Sequence, residues 1–200
     1  TRAKKSENPA NWKALLCKFY EESHRYVEAI RMYDELEEAY GHNDRLNLYR
    51  SENYSNLGLY DQAIADITKG MQKEPNWYFL TTRGDYRRLA GDYEGAIEDF
   101  SAAIEERPDL SYPYYKRGWC SEMLGDKAKA LEDYNLGIDM DDEYPYLYLM
   151  RGTLLLDQGN RKEAEADFKR ILQLDTVASD GSCRQYALHS LGMDREASEW

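Results

Sequence analysis

The chain has 200 residues, 42% of them hydrophobic and 32% charged, and its 38 acidic against 26 basic residues leave a formal net charge of −12. Phosphate binding needs Lys and Arg clustered on one face, so this balance argues against nucleic acid as a partner. No apolar run is long enough to cross a membrane, so no membrane insertion by this segment is expected. In chain order, residues 1–9 read as a polar lead-in, with Asn8 and Pro9 as N-cap and first-turn proline of a first helix. Beyond them one unit recurs. Ala29, Ala63, Ala96, Ala130, Ala164 and Ala197 fall 34, 33, 34, 34 and 33 residues apart.

Aligned on those alanines, the chain breaks into blocks 10–43, 44–76, 77–110, 111–144, 145–177 and an incomplete 178–200. Positions are numbered here within each block so that the alanine is position 20. Position 15 is then Gly58, Gly91, Gly125, Gly159 and Gly192, with His24 departing, and position 24 is Tyr33, Ile67, Phe100, Tyr134 and Phe168. Position 8 is small in Cys17, Ser51, Gly84, Gly118 and Gly152. Apolar residues recur at helical spacing on both sides of position 15, so each block reads as two helices joined by a tight turn. Pro75 and Pro108 at position 32 end second helices, while Pro113 and Pro145 fall near the start of first helices, where a missing N–H does no harm.

These residues resemble the tetratricopeptide repeat family, whose pattern has a small residue at position 8, Ala at 20, an aromatic at 24 and Pro at 32. Gly84, Gly91, Tyr93, Ala96, Phe100, Ala103 and Pro108 carry the match within one block, and the resemblance runs from Ala10 to Trp200. The fold it implies is all-α: a right-handed α-solenoid of stacked helix-turn-helix hairpins, with five full repeats and a partial sixth, forming one domain over 10–200. Small residues mark where the two helices of a hairpin cross, and bulky position 24 side chains fill the space between hairpins. A lone hairpin cannot bury its apolar face, so stability comes from nearest-neighbour interfaces.

A second pair recurs with the repeat. Position 7 holds Arg50, Arg83, Arg117 and Arg151, and position 23 holds Asp66, Asp99, Asp133 and Asp167. In the first block both change together, to Leu16 and Met32, and in the sixth Arg184 stands opposite Trp200 with no acid. Because these positions lie on facing helices of one hairpin, they predict a ladder of bidentate Arg–Asp pairs, one per repeat. A row of anion-binding arginines is the competing reading, and a carboxylate partner on each arginine argues against it.

Catalysis finds no support. Cys17, Cys120 and Cys183 are odd in number and far apart, and His24, His42 and His189 are equally scattered, so neither a zinc set nor a Cys–His nucleophile pair can be built locally. The acidic turn of Asp139, Asp141, Asp142 and Glu143 lacks the spacing and the glycine of a calcium loop. The Arg-Gly pairs at 83–84, 117–118 and 151–152 sit mid-helix and cradle no phosphate. Neither an enzyme nor a cofactor is expected. The chain starts at Thr1 and ends within a helix, so it reads as a segment of a longer one, in a soluble setting with the cytoplasm favoured.

In the resembling family, first helices line a concave groove with positions 2, 5, 6, 9, 12 and 13. The resemblance therefore implies a peptide-binding groove made by Tyr49 and Glu52 of the second block, Tyr78, Asp85 and Arg88 of the third, Tyr112, Tyr115, Lys116, Trp119 and Glu122 of the fourth, and Tyr146 and Met150 of the fifth. Aromatic residues of this kind suit binding hot spots, although some can equally pack on the neighbouring hairpin as core. The family's clamp of Lys and Asn for a C-terminal carboxylate is absent: the matching positions carry Leu48, Glu52, Thr82, Tyr112 and Lys116, or Thr81, Asp85, Lys116, Tyr146 and Met150. Glu52 and Asp85 repel a carboxylate, which favours a protein or peptide ligand with apolar or aromatic anchors and a basic residue. The alternative is a structural role, with self-association through the C-terminal end at 194–200.

Overall fold

The structure, a computed structural model, describes residues 9–71, 76–174 and 181–193. Among these residues it holds eleven helices and no strand. They are α1 (Pro9–Glu22), α2 (Tyr26–Tyr40), α3 (Asp44–Asn56), α4 (Tyr60–Gly70), α5 (Trp77–Ala90), α6 (Tyr93–Glu106), α7 (Ser111–Met123), α8 (Lys127–Met140), α9 (Pro145–Asp157), α10 (Arg161–Gln173) and α11 (Ser182–Ser190). Each full block holds two of them, and α11 is the first helix of the sixth. Asn8, Pro75 and the expected association end at 194–200, including Ala197, lie outside the described residues.

The chain divides into two compact units, Thr1–Asp99 and Phe100–Trp200, with the boundary inside α6. In the first, α1 packs on α2, α2 on α3, α3 on α4 and α4 on α5; in the second the same succession runs from α7 to α11. Helices therefore pack in chain order, the arrangement of an all-α solenoid.

Packing explains the recurring residue types. Ala29, Ala63, Ala96, Ala130 and Ala164 are all fully buried, and so are the position 24 side chains Ile67, Phe100 and Tyr134. A Cβ at Gly118 would stand 2.7 Å from the Tyr134 ring, and one at Gly152 would stand 2.8 Å from the Phe168 ring. No side chain fits there without displacing an aromatic ring from the centre of its hairpin.

The turns explain position 15. Gly58, Gly91, Gly125, Gly159 and Gly192 all have φ between 72° and 85°, the left-handed region that ends helices. His24, where the sequence departs, has φ 55° and adopts the same conformation, its Nδ1 2.7 Å from the Tyr26 hydroxyl. A side chain in that region costs roughly 1–2 kcal/mol, partly offset by the greater freedom glycine has when unfolded. His24→Gly is therefore expected to stabilise the first hairpin by about 0.5–1 kcal/mol. A thermal melt that does not rise would show the Tyr26 contact to outweigh the strain.

Helix starts carry caps of their own. Asn43 accepts the Arg45 N–H at 2.9 Å, Asn76 those of Tyr78 and Phe79 at 3.0 and 3.2 Å, and Asp126 that of Lys129 at 3.1 Å. Pro145 opens α9 as expected. Among the described residues no helix is long and apolar enough to cross a membrane.

Candidate functional site

The Arg–Asp ladder forms as the sequence implies, one rung per full repeat after the first. Nε and Nη2 of Arg50 meet Asp66 at 2.6 and 2.7 Å, those of Arg83 meet Asp99 at 2.9 and 2.5 Å, and those of Arg151 meet Asp167 at 2.9 and 2.6 Å. Arg117 straddles Asp133 in the same way, at 3.0 and 2.6 Å. The carboxylates are buried. Anion recognition is thereby removed from these arginines, whose charge is already met.

The third guanidinium nitrogen does something the repeat pattern had concealed. Nη1 of each arginine reaches back to position 25 of the preceding block: Asp34 at 2.8 Å, Thr68 at 3.4 Å, Ser101 at 3.1 Å and Asn135 at 2.7 Å. One arginine thus joins two helices of its own hairpin and ties that hairpin to the one before. The signal was present in the aligned blocks as a column of side-chain oxygens without a common residue type.

A second concealed pairing involves a proposed site residue. The Tyr134 hydroxyl donates to Glu122 at 2.9 Å, and the Tyr33 hydroxyl donates to Glu21 at 2.8 Å. Glutamate stands at position 12 in the blocks whose position 24 is tyrosine, whereas blocks with Ile67, Phe100 or Phe168 have Ser55, Arg88 or Leu156 there. Burial and the nearby glutamate push both phenols well above the usual tyrosine range. Glu122 therefore has work inside its own hairpin.

The remaining proposed residues form two groups, one in each unit. In the second unit α7 touches α9 and α9 touches α11, so consecutive first helices line one side of the stack. On that side Tyr112 and Tyr115 meet edge to face at 6.2 Å, and Tyr115 lies 5.7 Å from Tyr144 and 5.9 Å from Tyr146. The Lys116 ammonium sits over the Tyr112 and Tyr115 rings, 5.1 and 4.8 Å from their centres. All of these side chains, and Trp119, are half-buried. Tyr115 and Met150 pack against the Tyr134 cluster and Tyr146 against the Phe168 cluster, so these three also serve the core. Tyr144 escaped the repeat pattern because it closes its block, in the connection before α9.

In the first unit the proposed rings Tyr49 and Tyr78 are exposed, 42% and 45% accessible. Tyr49 stacks on Tyr33 at 6.2 Å, and Tyr78 meets Trp77 and Phe79 edge to face. Glu52, one turn beyond Tyr49 on α3, is half-buried. Burial, and then the charge of Glu21, lift its carboxyl above the ordinary value. Glu52 and Tyr49 in turn raise the Tyr78 phenol, after burial, so the three share one neighbourhood. Arg88 donates to Asp85 at 3.4 Å. A shallow depression of about 310 Å3 lies beside Arg50 and Lys69, and its arginine is already held by Asp34, Glu37 and Asp66. Burial pushes the Cys17 thiol up to about 11, which leaves it an unreactive core residue.

The deciding observation comes from family models. Models described as "Tetratricopeptide repeat" match residues 50–111, 81–146 and 145–176, together more than half of the chain. The chain belongs to the tetratricopeptide repeat family. Comparison with curated protein sequences gives no match. Among solved structures, a crystal structure of MamA superposes with a TM-score of 0.72 at 23% identity, covering 80% of this chain and 94% of that one. MamA from Desulfovibrio magneticus RS-1 does so with a TM-score of 0.75 at 18% identity, covering 84% and 96%. YrrB, described as a TPR protein with an unusual peptide-binding site, gives 0.68 at 14% identity, covering 90% of each chain. These likenesses establish the tetratricopeptide repeat fold.

Proposed function

We propose that this tetratricopeptide repeat chain is a non-enzymatic interaction module that seats a peptide or a partner helix on its first-helix face. The observation that carries the reading is the half-buried group of Tyr112, Tyr115, Tyr144 and Tyr146 with Lys116, on the first-helix side of the second unit. Rigid rings with polar tips offer large contact area at small entropic cost, which suits apolar or aromatic anchors. Glu52 between Tyr49 and Tyr78 adds a preference for a basic residue, since a half-buried carboxylate beside aromatic rings attracts a cation. The description of YrrB as peptide-binding supports the same class of ligand.

The test is selection from a random peptide library with the wild-type chain and with Tyr112→Ser combined with Trp119→Ala, after matching their thermal melts. Wild type should enrich peptides bearing an aromatic and a basic residue, and the variant should lose them by at least about tenfold in affinity. Recovery of the same peptides by both proteins would remove the proposed face. Glu52 supplies a second arm. Its carboxyl has a raised folded-state pKa, so its stability contribution is fully present below the ordinary glutamate value and is lost as pH rises through the raised one. Glu52→Gln should therefore stabilise the fold at neutral pH while weakening binding of the basic peptides. The wild-type chain should release those peptides on acidification while Glu52→Gln shows no such step, and identical pH profiles would exclude Glu52 as the contact.

A further inference from the structure

We propose that the basic residue drawn to Glu52 is an arginine of the ligand, its guanidinium bridging the carboxylates of Glu52 on α3 and Glu21 on α1 in the slot between the Tyr49 and Tyr78 rings. This inference rests on the first-helix face as the binding face and adds the side chain that the face selects. Its starting point is an unmet charge. Among the described residues Glu52 makes no hydrogen bond and no ion pair, although it is half-buried. A carboxylate withdrawn from water without a partner carries a free-energy cost that a bound cation relieves.

Glu21 completes the pair. Its Oε1 accepts the Tyr33 hydroxyl and the Asn53 side-chain N–H, both at 2.8 Å, while its Oε2 makes no bond among the described residues. Asn53 follows Glu52 directly, and its amide also donates to the Tyr49 carbonyl at 2.8 Å, so Glu21 is held against the stretch of α3 that carries Tyr49 and Glu52. The charge of Glu21 adds to burial in lifting the Glu52 carboxyl, which marks the two as close enough to repel. Two repelling carboxylates on different helices suit a guanidinium, a planar fork of N–H donors, better than the point charge of an ammonium.

The walls favour the same group. Tyr49 and Glu52 stand on one face of α3 at i and i+3, and Tyr78 comes from α5, whose Tyr86 hydroxyl lies 3.4 Å from Ser51 Oγ of α3. One face of Tyr49 rests on Tyr33, and Tyr78 meets Trp77 and Phe79 edge to face. Both rings nevertheless stay exposed, and among the described residues they do not touch each other. A planar cation stacks on such rings. The chain uses arginine in this way itself: Arg117 and Arg151 each hold a carboxylate while lying 5.7 and 5.6 Å from the Tyr114 and Tyr148 ring centres. It also answers the other acid at position 9. Asp85 receives the Arg88 Nε–H at 3.4 Å from one helical turn on, whereas Ser55 stands at that offset from Glu52. A ligand thus supplies beside Glu52 the guanidinium that the chain supplies for itself beside Asp85.

The test is an NMR titration of the full chain with capped alanine pentapeptides bearing a central arginine, lysine or citrulline, followed at the Glu52 and Tyr78 amides. The arginine peptide should bind several-fold tighter than the lysine peptide, and the uncharged citrulline peptide should not shift these signals. Glu52→Gln should weaken the arginine peptide by at least about tenfold. Glu21→Gln, whose amide oxygen still accepts from Tyr33, should bring arginine down to the affinity of lysine. Equal affinities of the two basic peptides for wild type, an arginine preference that survives Glu21→Gln, or no shift at Glu52 would overturn the proposal. So would tighter binding by Arg2→Ala, because the occupant would then belong to this chain. Library peptides that depend on Tyr112 and Trp119 but lack arginine would sink this inference and leave the binding face standing. Arginine binding at Glu52 by a chain whose library peptides ignore Tyr112 and Trp119 would do the reverse.

Discussion

Tyr134→Ala is expected to lower the unfolding free energy by about 4 kcal/mol, within the range of roughly 3–5 kcal/mol for truncating a fully buried large aromatic. The ring is wholly inaccessible, lies against the Gly118 backbone, and contacts Ala130, Leu147 and Leu154. Its loss leaves a cavity that the backbone at Gly118 cannot collapse to fill. Tyr134→Phe separates packing from polarity, since only the hydrogen bond to half-exposed Glu122 disappears. That variant should cost about 1 kcal/mol. Urea denaturation of the two variants measures both quantities, and a Phe variant as damaged as the Ala variant would place the stabilisation in the Glu122 bond instead.

Asp133→Ala should cost about 3 kcal/mol, because it strands the Arg117 guanidinium in a largely buried place. Replacing both partners, by Arg117→Leu with Asp133→Met, should leave stability within about 1 kcal/mol of wild type. Burial holds the Asp133 carboxyl above its ordinary value even with Arg117 across from it, so desolvation outweighs the attraction within this pair. The first repeat supplies the precedent, with Leu16 and Met32 at these positions and Met32 packed against the Tyr33 cluster. A double variant that loses as much stability as the single one would show that the tie from Arg117 to Ser101 on the preceding hairpin carries more than the rung itself.

The hairpins were legible because close helix crossing tolerates only tiny residues at fixed intervals, and Ala130 and Gly118 recur with their repeat. The Arg–Asp rungs were legible for a related reason: in the first block both partners change together, so Leu16 with Met32 identifies what Arg117 with Asp133 does. The backward tie was not legible, because Asp34, Thr68, Ser101 and Asn135 share an oxygen and nothing else. Identity-based alignment passes over such a column. Site residues were the least readable, since a first-helix position near the groove touches solvent and the next hairpin at once. Tyr115 and Tyr146 divide themselves between the two, Tyr49 and Tyr78 lie open, and Glu122 is claimed by Tyr134.

The backward reach of the arginines also gives the array a grammar for duplication. A hairpin bearing arginine at position 7 can follow any hairpin whose second helix carries an oxygen-bearing side chain at position 25, which is why four different residues serve. The fifth block breaks that rule, with Lys169 at position 25, and the arginine that follows it, Arg184, donates through Nη1 to the Leu172 carbonyl at 3.1 Å instead. A copied repeat inserted behind Asn135 would find its acceptor waiting, whereas the same copy inserted behind Lys169 would bring guanidinium toward ammonium. Growth of such a chain by internal copying is thus permitted at some joints and penalised at another.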